Sequence, residues 1–367
     1  MDVDVIVIGA GAMGTAAAWR LARRGRSVLV LERFDEGHDV GASHGTTRNF
    51  STAYDDDMYL GLLARAREYW RELEAESGQQ VIDWVGLVQH GWQRPLETMA
   101  LAHARHGIRS QLLDGEEAQE RWTGLRFDGP VLYSEDAGRI RAGDAIQAMR
   151  GLAEAAGAQF LFQTPVTRLE WNDSRATVYC DGAEYRSDSV VLTAGAWTEK
   201  LLAGRVQHPR LRVTQEQPAH FALQKPDAHW PGFMQRPLPD SDRDSYWYST
   251  TYGMLTPDEG IKVGWHGTGP ETDPDRRTFT FDPPQMDALR RYVREWIPGA
   301  DPDRFDAISC TYTTTSDERF VVDRMGPICV GAGFSGHGFK FAPAIGEELA
   351  KLITGEGRDH ELRLLTD

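Results

Sequence analysis

Residues 4–8 (DVIVI) form a β-branched run suited to a strand buried on both faces. The run breaks into Gly9-Ala10-Gly11-Ala12-Met13-Gly14, continues as the helical pattern TAAAWRLARRG and stops at Gly25. Ser27–Leu31 is a second buried run, and it ends at Glu32. Strand, glycine loop, helix, strand and acid within about thirty residues compose a βαβ unit that grips a dinucleotide. A bare GxGxxG constrains little, whereas the five parts in this order constrain the fold strongly. Gly9 permits the tight turn, Gly11 lets backbone N–H groups approach a pyrophosphate, and Gly14 lets helix and strand pack closely. The phosphates would rest on the helix N-terminus. Glu32 would accept the adenosine ribose hydroxyls, and its charge disfavours a 2′-phosphate. NAD and FAD both satisfy this unit.

The far end of the chain separates them. Residues 327–332 (PICVGA) read as a short strand, followed by GFSGHGFK (333–340) and a helical stretch, APAIGEELAKLITG. Gly331, Gly333 and Gly336 repeat the glycine spacing, but in a chain of 367 residues too little remains for another full mononucleotide unit. The expectation is a return loop that brings a second helix N-terminus to the same cofactor. A helix end aimed at the flavin pyrimidine stabilises an anionic reduced ring, which suits FAD better than NAD.

The length fits two domains. Residues 57–78 predict a long amphipathic helix, 115–122 a short one, and 143–160 a helix leading into the strand-like FLFQTPVTRLEW. ATVYCDGAEYRSDSVVLTAGAW then reads as a hairpin plus a buried strand ending at Gly195. Residues 206–305 carry most of the prolines, several alternating strands and one helix (PQMDALRRYVREW), with a loop at 237–245. The expected class is α/β: a Rossmann-like FAD-binding domain over 1–80, 140–205 and 306–367. Interleaved with it is an antiparallel-sheet α+β substrate domain over 81–139 and 206–305.

Fifty-five Asp and Glu against forty Lys and Arg give a net charge of −15 without a basic cluster, which disfavours a nucleic-acid partner. No run approaches about eighteen apolar residues, so no membrane span is expected. The N-terminus has neither a basic region nor a small-residue cleavage site. Cys180, Cys310 and Cys329 are odd in number and far apart, so neither disulfides nor a metal site are expected, and the location reads as cytoplasmic.

Three stretches carry possible chemistry. GIKVGWH (260–266) alternates, with Ile261, Val263 and Trp265 on one face and Lys262, Gly264 and His266 on the other. Spacing alone favours the wet face of a strand for Lys262 and His266. Beside a redox ring, the lysine would instead stabilise developing superoxide. ISCTYTTT (308–315) puts Cys310 and Tyr312 on one face, where a lone cysteine is ordinarily a small buried hydrophobe. GASHGTTRNFSTAY (41–54) is a polar, glycine-rich loop with His44 and Arg48. Trp84, Trp92, Trp230, Trp247 and Trp265 suit either an aromatic pocket or plain core.

GAGAMG with Glu32, SHGTTR, PGFM (231–234), KVGWH, SCTYTTTSDERFVVD and GFSGHGFKF occur in this order between residues 5 and 345. Together they resemble the monomeric sarcosine oxidase and N-methyltryptophan oxidase family of FAD-dependent amine oxidases, with a glutathione-reductase-like cofactor domain. The resemblance implies FAD attached through Cys310 and held by Gly9, Gly11, Met13, Gly14, Glu32, His44, Thr47, Arg48, Val166, Gly195, Gly333, Gly336, Gly338 and Lys340. It implies that Lys262 promotes reaction with oxygen and that His266, Tyr312 and Tyr252 face the substrate with Met234. It also implies that Lys340 helps hold a substrate carboxylate. One position departs from the pattern: Ser51 stands where members that bind α-amino acids carry a second arginine. Serine cannot replace a bidentate arginine–carboxylate pair, so either Lys340 works with another cation or the substrate has no α-carboxylate.

The implied activity is oxidation of a small secondary or N-methylated amine, with O2 reduced to hydrogen peroxide by a monomer. A flavin-dependent dehydrogenase passing electrons to a carrier, and a flavin-binding protein without turnover, are the alternatives.

Overall fold

The computed structural model describes residues 2–91, 95–202, 204, 208–226, 228–237 and 244–356. Trp92 and positions 238–243 of the expected loop lie outside the described residues.

The βαβ unit forms as its sequence predicts. Strand Asp2–Ile8 runs parallel to Val28–Leu31, and helix Ala12–Arg23 joins them. The helix starts earlier than the pattern suggested, so Gly14 lies inside its first turn. These strands belong to an eight-stranded sheet in which six run in the order Val166–Trp171, Ala176–Cys180, Ala183–Leu192, Asp2–Ile8, Val28–Leu31, Gln159–Leu161, while Ile328–Ala332 branches from Ala183–Leu192 and pairs in turn with Val321–Met325. On the edge away from Asp2–Ile8, strand Ala183–Leu192 serves two partners. Its first half makes the hairpin with Ala176–Cys180, while its second half runs parallel to Ile328–Ala332. The expected hairpin and buried strand are therefore one continuous strand.

FLFQTPVTRLEW does not behave as one unit. It divides into Gln159–Leu161 and Val166–Trp171, which lie at opposite edges of the sheet. Gln163 takes a left-handed φ of 51° and Pro165 offers no N–H, so the chain leaves one edge there.

The second eight-stranded sheet is ordered Ala300–Ala307, Ala219–Leu223, Gly260–Trp265, Thr251–Thr256, Gly232–Gln235, Leu87–His90, Val131–Ser134, Ser110–Leu113. It is antiparallel except where Gly232–Gln235 meets Leu87–His90, a parallel pair that the sequence reading did not anticipate. That pair arises because two segments distant in sequence meet side by side, and no hairpin sets their direction. Helix Pro283–Trp296 covers one face, with Leu289, Tyr292 and Val293 in a core shared with Ile261, Val263 and Trp265. Trp230 also belongs to this core and Trp247 packs against it, whereas Trp84 is exposed against Phe50. None of these four lines the main cavity. Strand Arg212–Glu216 pairs with Cys310–Thr314, and Gly138–Arg141 lies between Thr47–Phe50 and Ile82–Asp83.

Helix Ala342–Thr354 follows the C-terminal glycine loop and crosses helix Ala12–Arg23. The crossing is close: a Cβ on Gly346 would stand 2.5 Å from the backbone carbon of Ala16. Buried and half-buried charges flank this contact. Arg20 reaches Glu72 of helix Asp57–Ser77 at 2.7 Å, and Arg24 reaches Glu347 at 2.6 Å. Gly346→Ala should force the two helices apart and cost about 1–3 kcal/mol, as other overpacked contacts do. Urea denaturation measures this, and an unchanged midpoint at unchanged slope would show that the crossing has slack.

Candidate active site

Both glycine loops open onto one cavity of about 810 Å³. Gly9, at the end of the first strand, has φ 99°, and a side chain there would strike the Thr193 carbonyl oxygen at 2.7 Å. Gly14 carries out the packing role: its Cβ would fall 1.9 Å from the Gly9 carbonyl oxygen. No side chain caps helix Ala12–Arg23 through Gly11; Ser43 Oγ reaches in to accept the Ala12 N–H at 3.1 Å. Glu32 binds the Ala10 and Phe34 amides at 2.8 and 3.0 Å, which ties the glycine loop to the end of the second strand.

The return loop supplies the opposite wall. Gly333 and Gly336 take φ values of 66° and 76°, and a Cβ on Gly336 would enter the Tyr312 ring at 2.1 Å. Gly338 sits against Met13 and Phe334, so the start of helix Ala12–Arg23 and the short 3-10 turn Phe339–Phe341 that leads into helix Ala342–Thr354 border the same space.

Strand Gly260–Trp265 delivers Lys262 to the cavity and His266 just beyond it. The wet-face expectation fails, because Lys262 is only 6 % exposed. Burial, with the charge of Arg48 adding to it, lowers the Lys262 ammonium to about 7. Arg48 is held by the carbonyls of Thr47, Ala42 and His44, the first two at 2.8 and 2.9 Å. Lys340 donates to the His337 carbonyl at 2.8 Å, lies over the Tyr54 ring, and is likewise lowered to about 7 by burial. Among the described residues, no carboxylate forms an ion pair with Lys262, Arg48 or Lys340. Lys262, Arg48 and Lys340 thus border one cavity without an ion-pair partner among the described residues, although Glu259 acts on Lys262 through space.

His266 Nδ1 stands 3.4 Å from the Tyr312 hydroxyl, and burial lowers its titration to about 4. Tyr252 and Tyr312 are both pushed well above the ordinary phenol range, first by burial, so both hydroxyls stay protonated. Cys310 is half-buried at the start of its strand and lines the cavity, as do Val166 and Gly195. Ser51 is buried, with Oγ 3.3 Å from Met234 Sδ and accepting the Ala53 amide, and both residues line the wall.

Three expected cofactor contacts do not reach the cavity surface. Gly14 is consumed by helix packing, as above. Thr47 Oγ1 is occupied 2.7 Å from Thr256 Oγ1. His44 turns its Nδ1 to the Gly41 carbonyl at 2.6 Å, and burial lowers it to about 4. His44 and Thr47 instead act from behind the wall, where both contribute carbonyls that hold Arg48.

The sequence reading missed Arg236, Tyr54, His337 and Trp197, all of which line the cavity. Arg236 had a usable signal, since it stands two residues after Met234 and Met234 is on a strand face that looks inward. Its charge and that of Lys340 both help depress His266. Tyr54 and His337 meet at 3.0 Å across the return loop, a pairing no local pattern announces.

A family model described as FAD dependent oxidoreductase matches residues 4–352. The chain belongs to the FAD-dependent oxidoreductase family. Within it, the chain is 32% identical over 99% of its length, and 96% of the relative, to a monomeric sarcosine oxidase of Bacillus sp. strain NS-129. It is 29% identical to an N-methyl-L-tryptophan oxidase of Citrobacter koseri, covering 99% of this chain and 97% of that one. The solved structure of NikD, an unusual amino acid oxidase essential for nikkomycin biosynthesis, has a TM-score of 0.87 at 26% identity, covering 98% of this chain and 96% of that one.

The site fits the family's cofactor. A helix N-terminus whose own N-cap residue, Gly11, has no side chain, glycines that no side chain could replace, and cations without an ion-pair partner among the described residues suit the pyrophosphate and an electron-rich flavin ring. In this FAD-dependent oxidoreductase the empty charge of Lys262 has a measurable cost. Its folded titration lies below the unfolded value of about 10.4, so between about pH 7 and 10 the unfolded chain holds the extra proton and stability gains with rising pH. Lys262→Met should therefore stabilise the chain most below pH 7, with the advantage shrinking toward pH 10. Thermal denaturation across that range checks the slope, and a pH-independent difference would count against a buried titrating lysine.

Proposed function

We propose that the protein is an FAD-dependent oxidase of a secondary or N-methylated amine that carries a carboxylate, releasing hydrogen peroxide. The observation that carries this reading is Lys262, a buried cation without a carboxylate partner on the same cavity as Cys310. When bound, FAD accepts a hydride equivalent from the carbon beside the amine nitrogen and passes two electrons to oxygen. Lys262 places its positive charge where reduced oxygen would develop, which favours an oxidase over a dehydrogenase. Cys310, half-buried and within the cavity, is the attachment point, and Glu32, Gly9, Gly11 and Met13 hold the dinucleotide end.

His266, Tyr252 and Tyr312 frame the substrate. All three are neutral near pH 7, and with Lys262 and Lys340 close by the amine is favoured in its neutral form, the form that loses hydride. Lys340 and Arg236 hold the carboxylate, so Arg236 supplies the second cation that Ser51 cannot. Water then hydrolyses the imine product. A cytoplasmic monomer is the assembly and location proposed; among the described residues, no helix is long and apolar enough to cross a membrane.

Acid precipitation tests the attachment: the yellow colour should pellet with the protein and stay in the supernatant for Cys310→Ser. Colour in the supernatant of the parent protein would remove the covalent link. Peroxide release tests the substrate class. N-methyl-L-tryptophan should outrun N-methyltryptamine, and sarcosine should outrun dimethylamine. Arg236→Met should raise KM for the carboxylated partner by roughly thirtyfold, the worth of a charge-assisted hydrogen bond. Equal turnover within each pair would remove the carboxylate requirement.

A further inference from the structure

Lys262 is buried, but its neighbours on the same sheet face lead toward the surface. Four neighbouring strands place Asp306, His220, Lys262 and Met254 directly opposite one another in a single row. Opposed residues share a sheet face, so the row runs side chain to side chain across the sheet. It starts at exposed Asp306 on the edge strand and ends at Lys262 and Met254, which line the cavity.

His220 is the middle member and is buried at 8 % exposure. Its Nδ1 lies 2.7 Å from Glu259 Oε2, and the other Glu259 oxygen accepts the Thr46 hydroxyl. The Glu259 side chain is 39% exposed, so this carboxylate exchanges protons with water. Its imidazole partner has a second nitrogen, Nε2, that is buried without a hydrogen-bond partner. A histidine serving only to anchor Glu259 would leave that nitrogen at a cost, and an unsatisfied buried polar atom asks for a reason. Lys262 is the next residue in the row but does not itself hydrogen-bond Nε2, so a single water between the two would complete the connection.

We propose that Glu259 and His220 form a proton relay from solvent to Lys262. The proposal rests on the oxidase reading for its chemistry. Reducing O2 to H2O2 takes two electrons and two protons; the reduced cofactor supplies both electrons and one proton, and one proton must come from elsewhere. Lys262 delivers it and becomes a neutral amine. Besides His220 and Glu259, its charged or titratable neighbours are Arg48 from strand Thr47–Phe50, Cys310 from strand Cys310–Thr314, and His44 from the preceding loop, whose Nδ1 is committed to the Gly41 carbonyl. Arg48 does not release protons at neutral pH, and a cysteine tied to the cofactor has none to give. His220 faces Lys262, Glu259, Asp306 and Arg48, so it has an acid on the solvent side and the lysine on the other. His220 is thus a positioning and relay residue rather than one touching substrate.

The chain has five lysines, at positions 200, 225, 262, 340 and 351, so labelled lysine ammonium signals are few enough to resolve. The first measurement is exchange between water and the Lys262 ammonium in the flavin-loaded protein. Glu259→Gln, close in shape to the native side chain, and His220→Ala should each slow it by roughly a hundredfold, the scale of a lost acid–base group. The second is reoxidation by air of protein reduced with dithionite, which needs no amine. It should slow by a similar factor in both variants, show a larger solvent isotope effect, and recover in His220→Ala when imidazole is added. Unchanged Lys262 exchange in both variants overturns the relay. So does slow reoxidation that imidazole does not restore, which would make His220 structural. If the reduced parent protein reacts with oxygen no faster than free reduced flavin, the oxidase reading falls, and the exchange comparison still decides whether the relay exists.

Discussion

The close crossing of the first and last helices governs the rest of the molecule. Gly346 lies against the backbone of Ala16, and Arg20, Arg24, Glu72 and Glu347 clamp the contact from the sides. Because the two helices cross there, Met13 and Gly338 come together, and the start of the first helix and the 3-10 turn leading into the last one border one cavity. More than three hundred residues separate these loops in sequence. The packing of two small residues is what makes them one site.

Charge organisation follows from that enclosure. The chain carries a net charge of −15, yet Lys262, Arg48 and Lys340 line its cavity without pairing to any carboxylate among the described residues. A protein spends stability to bury cations in this way, and the cost is offset when an anion or electron-rich ring occupies the space. The same desolvation that lowers the lysines toward neutrality keeps His266 uncharged and both tyrosines protonated. One physical cause therefore sets the protonation of the whole wall.

Much of this was legible in the sequence where local order carries the information. The βαβ unit, Gly9, Gly11 and Glu32 follow from strand, turn and helix patterns that depend only on near neighbours. Alternation placed Lys262 and His266 together and Ile261, Val263 and Trp265 opposite, as found. What alternation could not say is which face meets water, and the buried lysine reversed the natural assumption. Thr47 and His44 look like cofactor ligands by position, but side-chain direction puts them behind the wall. Ser51 raised the question of a missing cation, and only the strand beside it brought Arg236 into the same space.

By itself the sequence determined the dinucleotide-binding start, the return loop and the residue types available for chemistry, because each rests on contacts close along the chain or on motifs of definite spacing. Tertiary structure alone decided that Lys262 is dehydrated, that Arg236 joins Lys340 near His266, and that His220 stands between Lys262 and an exposed carboxylate. Burial and cross-strand register depend on which distant segments meet. Neither can be read from one strand before its neighbours are known.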